Sequence, residues 1–277
     1  MEIVAGRVNV IPACEGKYMK VVILAGGLGS RLSEETVDRP KPMVEIGGRP
    51  ILWHIMKIYS HYGFQEFIIC CGYKGHMIKE YFTHYHMYQT NTTFDLSDGG
   101  HTDHNSTTEP WQVTLANTGL STLTAGRILR IREYIGGDEE FMLTYGDGVG
   151  DVNIEALLAF HRAHGKIATI TTTRPEGRFG AIGIGEHARV ESFKEKARKD
   201  QSWVNAGFMV FNRKVFDYLG DGSMMLEDAP FEKLAKEGEM MAFCHEGFWS
   251  PMDNLHDREY LEGLWEKGQA FWKVWAE

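Results

Sequence analysis

Apolar positions along the chain fall into two rhythms that take turns. Residues 21–24 (Val-Val-Ile-Leu) and 67–71 (Phe-Ile-Ile-Cys-Cys) are continuous apolar runs, the pattern of a parallel strand buried on both faces. Between them Ile51, Leu52, Ile55, Met56, Ile58, Tyr59 and Tyr62 recur at helical spacing from about Pro50, with Lys57 and His61 off the stripe and Gly63 as the stop. The turn Gly72-Tyr73-Lys74-Gly75 predicts a helix over 76–82. Residues 111–115 alternate as a strand, Ile128, Leu129, Ile131 and Ile135 mark a short amphipathic helix, and 141–145 read as another strand. A helix over 154–164, a strand over 167–173 and a shorter strand pair from about 178–181 follow. Strand 204–211, helix 231–237, strand 239–244 and helix 255–267 complete the series. This cadence predicts an α/β fold, a mostly parallel mixed sheet flanked by helices.

Two stretches stand outside the cadence. Residues 85–109 dissolve into Asn, Thr, Asp, Gly and His, which predicts a long polar excursion of functional or mobile character. His84, His86, His101 and His104 lie in or beside it, without the carboxylate or cysteine spacing of a zinc site. Residues 1–18 precede the first continuous apolar strand run and read as an extension. That leaves 19–277 as a single domain, long enough to bury a substantial core. Trp265, Trp272 and Trp275 cluster in the tail, suited either to capping the core or to a subunit contact.

Composition narrows the partners. A net charge of −9 argues against a general nucleic-acid binder or an anionic-membrane binder, while leaving room for a local phosphate pocket. Four cysteines, Cys14, Cys70, Cys71 and Cys244, contain no Cys-x-x-Cys pair, so reduced thiols and a cytoplasmic location are expected. No stretch approaches a transmembrane length, and the first residues lack a basic start followed by an apolar segment, so export is not expected.

The candidate chemistry gathers at strand ends. After Leu24 and Ala25 come Gly26, Gly27, Leu28, Gly29 and Ser30, three glycines in four positions whose backbone N–H groups can face an anion. Arg31 adds a fork of donors and Lys41, between Pro40 and Pro42, a mobile point charge. The loop is not a Walker A loop, and Leu32 stands where the Rossmann fingerprint needs its third glycine. Further on, Asp147 sits between Gly146 and Gly148 directly after a strand, where open α/β sheets keep ligands and where a hydrated Mg²⁺ would find room. Turn chemistry alone would make it an ordinary turn aspartate. Asp151 reads as the cap of the helix starting near Asn153.

Leu24 to Leu32 (LAGGLGSRL), followed by Arg39-Pro40-Lys41-Pro42-Met43, resembles the signature of the sugar-1-phosphate nucleotidylyltransferases. The resemblance runs from about Met19 to the C-terminus and implies their Rossmann-like nucleotide-diphospho-sugar transferase fold, with a small β-rich insertion on the sugar side. It implies nucleotide phosphates on Leu24, Ala25, Gly26, Gly27, Gly29, Ser30, Arg31 and Lys41, with Gly146 beside them and Thr122 and Arg127 as further nucleotide contacts. Asp147 would be one Mg²⁺ ligand and Asp253, in Trp249-Ser250-Pro251-Met252-Asp253, the other. The sugar phosphate would lie against Gly180, Glu195, Lys196, Asn205 and Gly207. Ala197 stands where the family's Glu-Lys-Pro element has its proline. Arg31, Lys41 and Lys196 are the expected catalytic cations. The resemblance further implies CTP and glucose 1-phosphate as substrates, CDP-glucose as product and a homo-oligomer. UTP or dTTP, another sugar 1-phosphate, or a non-catalytic nucleotide-sugar binder remain open on the residues themselves.

Overall fold

The computed structural model describes residues 19–29, 32, 38–106, 108–174, 181–184, 190–194 and 202–276. Its centre is a seven-stranded sheet. In chain order the strands are β1 (Lys20–Ala25), β2 (Glu66–Cys71), β3 (Gln112–Asn117), β4 (Glu140–Tyr145), β5 (Ala168–Thr173), β6 (Val204–Asn212) and β7 (Met240–His245). They lie in the order β7-β5-β6-β4-β1-β2-β3, and all are parallel except β6. The continuous apolar runs are explained by burial on both sides. Val21 and Ile23 point into one core, shared with Ile55, Leu157 and Trp272, while Val22 and Leu24 point into the other, shared with Ile128, Phe141 and Phe211.

Helices cover both faces as the periodicity requires. On one face lie α1 (Ile51–His61) and the helix Ile154–His164, and α3 (Thr124–Arg130) covers the other; α2 (Gly75–Gln89) follows β2. The helix expected over the Ile128–Ile135 stripe is two short ones, Thr124–Arg130 and Arg132–Ile135, joined at Ile131. The join is a tightened turn in which the Ile131 N–H bonds Ile128 O, and it keeps Ile128, Ile131 and Ile135 buried on one side. The cap of helix Ile154–His164 is Asn153, whose Oδ1 accepts from the Ala156 N–H. Asp151 does not cap it: its N–H donates to Phe248 O and its Oδ1 lies 2.9 Å from His245 Nε2.

The described residues of the polar excursion form regular elements. α2 runs on to Gln89, beyond the expected 76–82, and Thr90–Asp95 pairs antiparallel with Gly100–Ser106 as a hairpin. Little in its sequence alternates because both faces are largely exposed. Its side chains bond one another instead: His86 with Asp103, Thr92 with Asp103 and Thr93 with His104. At the tail, Trp272 and Trp275 are buried against α1, where Trp272 Nε1 donates to His54 Nδ1 and Ile46 O partners His54 Nε2. The tryptophans cap the core. Burial pushes the His54 imidazole down to about 4.

Candidate active site

β3, β2, β1 and β4 are adjacent and parallel, so their C-terminal ends open on one edge, and antiparallel β6 brings its N-terminal Asn205 to that same edge. A cavity of about 550 Å³ lies there. Leu24, Ala25, Gly26, Gly27 and Gly29 form one wall, and Thr122 and Arg127 the next. Gly146, Asp147, Lys41, Asn205 and Asp253 close the far side. Ser30, Arg31, Gly180, Glu195 and Lys196 lie outside the described residues. Gly207 lies behind the cavity. Its φ is +86°, and a Cβ there would sit 2.7 Å from the Tyr145 ring, so its close approach is to that tyrosine.

The glycine loop is held from behind. The buried Arg127 guanidinium donates to Gly26 O (2.8 Å), Gly119 O (2.9 Å), Leu120 O (3.3 Å) and Thr118 Oγ1 (2.7 Å), while Thr118 Oγ1 itself donates to Cys71 O. One side chain therefore ties together the ends of β1, β2 and β3. Gly26 is glycine for this reason, since a Cβ would meet Arg127 Nη1 at 2.1 Å. Gly27 has no neighbour within 4 Å of its would-be Cβ, and Gly29 has a φ of +65°, so these two leave the loop open toward the cavity.

Across the cavity, Asp147 and Asp253 converge. Residues Gly148–Gly150 pair with Trp249–Pro251 as a short antiparallel ladder, and Met252 N donates to Asp147 O at 2.8 Å. That ladder sets two carboxylates far apart in sequence side by side. Lys41, buried in the short 3₁₀ turn Lys41–Met43, reaches both: Nζ is 2.7 Å from Asp147 Oδ2 and 2.8 Å from Asp253 Oδ1. The two carboxylates thus already meet on one cationic point. A donor set of two carboxylates beside an open cavity fits Mg²⁺, which takes one or two carboxylates and fills the rest with water and phosphate oxygens. Among the described residues, charged side chains lining the cavity are two basic (Lys41, Arg127) and three acidic (Asp147, Glu227, Asp253), a balance that suits an added divalent cation when polyanions bind.

Tyr145 and Glu227 were not singled out in the sequence. Tyr145 is the last residue of β4, and its hydroxyl donates to Glu227 Oε1; Thr124 Oγ1 donates to Glu227 Oε2 at 2.9 Å. Asn205 Nδ2 donates to the Tyr145 hydroxyl at 3.3 Å, and Asn205 Oδ1 accepts from Gly207 N. Burial and the Glu227 carboxylate push the Tyr145 hydroxyl well above its ordinary range, so it stays a donor. Glu227 lies in an irregular segment with no motif, 82 residues from its tyrosine partner. Tyr145 carried a signal in its place directly before Gly146-Asp147.

Residues 20–258 match the nucleotidyl transferase family. The chain is 55% identical over 257 residues to the glucose-1-phosphate cytidylyltransferase of Salmonella typhi, covering 93% of this chain and 100% of that protein. It is 46% identical over 258 residues to a probable glucose-1-phosphate cytidylyltransferase of Bacillus subtilis, with 93% and 100% covered. Among solved structures, HddC from Yersinia pseudotuberculosis superposes with a TM-score of 0.64 at 22% identity, covering 89% of this chain and 99% of that one, which is a likeness of fold. A glycine loop opposite a carboxylate pair on one sheet edge agrees with these matches, and the chain belongs to the nucleotidyl transferase family.

Proposed function

We propose that this chain joins CTP to glucose 1-phosphate, releasing pyrophosphate and CDP-glucose. The observation that carries the reading is 55% identity along the entire length of the Salmonella typhi glucose-1-phosphate cytidylyltransferase. The cavity supports it: about 550 Å³ between a glycine loop and a carboxylate pair suits a nucleotide meeting a sugar phosphate.

A sugar-phosphate oxygen attacks the α-phosphorus of CTP. A new P–O bond forms as the bond to the β-phosphate oxygen breaks, and the electron pair leaves with pyrophosphate. The second pKa of a phosphate monoester is about 6, so the nucleophile is anionic at pH 7 and needs no general base. The barrier lies in aligning two polyanions, and positioning and charge neutralisation supply the catalysis. Gly27 and Gly29 offer backbone to the triphosphate, and Arg31 and Lys41 neutralise it. Lys196 holds the incoming phosphate, with Gly180, Glu195 and Asn205 on the sugar side. Exposed Leu123 and Met225 at the cavity mouth give the base apolar walls beside Thr122. Asp147 and Asp253 would hold Mg²⁺, which when bound would supply positive charge to offset that of the phosphates.

Pyrophosphate release with glucose 1-phosphate and Mg²⁺ tests the reading, with CTP, UTP, dTTP, ATP and GTP compared in parallel. Strong preference for CTP is expected. Preference for another nucleotide would replace the substrate and keep the chemistry. Silence with all five, in protein that still binds nucleotide, would overturn the reading.

A further inference from the structure

The ladder that brings Asp147 and Asp253 side by side has two ends, and the end away from those carboxylates is closed by a pair of side chains. His245, the last residue of β7, puts Nε2 2.9 Å from Asp151 Oδ1 and 3.2 Å from Phe248 O. Phe248 directly precedes one strand of the ladder and Asp151 directly follows the other, so a single imidazole spans both. We propose that His245 and Asp151 are positioning residues for the reaction: they clamp the far end of the ladder and so fix the register that places Asp253 beside Asp147. The inference rests on the reading of Asp147 and Asp253 as metal ligands and adds the pair that sets their spacing.

The ladder is short, three residues a side, and a two-stranded ribbon of that size is marginal without outside support. Its cross-strand bonds continue at both ends: Met252 N–H donates to Asp147 O at 2.8 Å, and Asp151 N–H donates to Phe248 O at 3.1 Å. Asp253 and Asn254 also donate to Asp257 Oδ2, but that bond ties Asp253 to the helix that follows it, not to the strand of Asp147. A slip by one residue would turn buried Met252 out of the core and Asp253 away from the cavity.

The clamp is built for close contact. Both oxygens beside Nε2 are acceptors, so Nε2 carries a hydrogen. Asp151 Oδ1 is shut off from solvent, and among the described residues it meets no hydrogen-bond donor apart from this imidazole. Gly247 crosses the pair: a Cβ there would strike Asp151 Oδ1 and lie 2.6 Å from His245 Cε1. Its backbone is not left-handed, so closeness alone requires the glycine. Next in the chain after Phe248, Trp249 Nε1 donates to Ala206 O at 2.8 Å, and Trp249, Pro251 and Asp253 line the cavity. A displacement at Phe248 is therefore passed straight to the site.

The test reads metal binding, with turnover beside it. Mn²⁺ is titrated against the whole protein without nucleotide, the free ion being followed by its paramagnetic resonance signal, and kcat and KM are measured in saturating Mg²⁺. His245→Ala and Asp151→Ala should each weaken Mn²⁺ binding about tenfold and lower kcat by a similar factor. The CTP KM should stay near that of wild type, because the glycine loop and Arg127 form the other walls. The double variant should be no worse than either single one, since both remove the same contact. His245→Gln keeps an N–H within reach of both oxygens and should recover most of the loss. Gly247→Ala removes nothing and only wedges the pair apart, and should reproduce the loss. His161→Ala supplies the comparison: it removes a buried imidazole bonded to Thr169, at the other end of β5 from the partner of His245, and should lower the Tm while leaving Mn²⁺ affinity unchanged. Should His245→Ala fail to fold, Asp151→Ala, whose side chain is 35% exposed, and Gly247→Ala carry the same measurements. Wild-type Mn²⁺ affinity and kcat in the clamp variants would overturn the positioning and leave the metal ligands standing. Equal losses in His161→Ala would trace the effect to a general loosening of the fold and would also overturn it. A wild type that neither binds Mn²⁺ nor needs Mg²⁺ for turnover would overturn the metal reading and the proposal together.

Discussion

Two cations reach the same cavity, and their partners differ in kind. Arg127 spends its guanidinium on three backbone carbonyls and a threonine hydroxyl, all neutral and all fixed by the ends of strands. Lys41 spends its ammonium on two carboxylates that lie open to the cavity. A ligand gains little by taking Arg127 from these partners, since the buried guanidinium would lose four hydrogen bonds at once. One charge is held by strand-end carbonyls and the other by carboxylates that face the cavity, and only their partners tell the two apart.

Replacement should separate them. Lys41→Ala should cut turnover roughly 10³-fold, the scale of losing one charge aimed at the reacting phosphates, while the Tm in saturating Mg²⁺ stays near that of wild type. Near-normal turnover in a folded variant would remove Lys41 from the mechanism. Arg127→Met should show the reverse balance. Gly26 O would keep only the Tyr73 N–H, and Gly119 O and Leu120 O would lose the guanidinium, at a cost of about 2 kcal/mol and a fall of roughly 5 °C in Tm, and the CTP KM should rise as the glycine loop loosens. Arg127→Lys should rescue little, because an ammonium cannot reproduce the fork. An Arg127→Met protein as thermostable as wild type but unable to bind CTP would make Arg127 a direct ligand contact and erase the distinction.

A buried polar group remote from the cavity calibrates the scaffold side. His54 is held neutral, one ring nitrogen against Ile46 O and the other accepting from Trp272 Nε1, with a pKa of about 4 against 6.5 when unfolded. Below 6.5 the unfolded chain binds the extra proton, so stability is complete above that pH and is lost as pH falls toward 4. The slope approaches about 1.4 kcal/mol per pH unit. His161, also lowered to about 4 by burial, adds a similar slope. Denaturant titrations from pH 7 to 4.5 should show the combined loss, and His54→Gln should remove about half of it. An unchanged slope in that variant would mean His54 does not titrate on unfolding.

The sequence announced the strands and the loops at their ends because both are local: apolar runs mark β1, β2 and β4, and Gly-rich turns follow β1 and flank Asp147. Non-local facts were silent. Nothing in the spacing pairs Asp147 with Asp253, which meet through a ladder only the fold creates; their pairing was read from resemblance. Arg127 was assigned to the nucleotide by the same resemblance, and its burial against strand-end carbonyls is a tertiary fact no motif encodes. The hairpin at Thr90–Asp95 and Gly100–Ser106 leaves no strand pattern in the sequence, because hydrophobic alternation, the signal for strands, needs one buried face.

The smallest effect expected tests a contact lying between the two kinds. Glu227 bridges Tyr145, at the end of the strand that leads into Gly146-Asp147, and Thr124, at the start of the helix that carries Arg127. It therefore spans the reacting side and the scaffold side of one cavity. If its carboxylate only braces, Glu227→Ala leaves two hydroxyls without their acceptor at a cost of about 1 kcal/mol, raising both substrate KM values roughly fivefold with little change in kcat. Glu227→Gln keeps an oxygen for Tyr145 and should recover most of the loss. A double-mutant cycle with Tyr145→Phe should give a coupling of about 1 kcal/mol, because both changes remove the same bond. A Glu227→Gln enzyme as impaired as Glu227→Ala would mean that the negative charge itself matters, and would move Glu227 from the brace to the ligand.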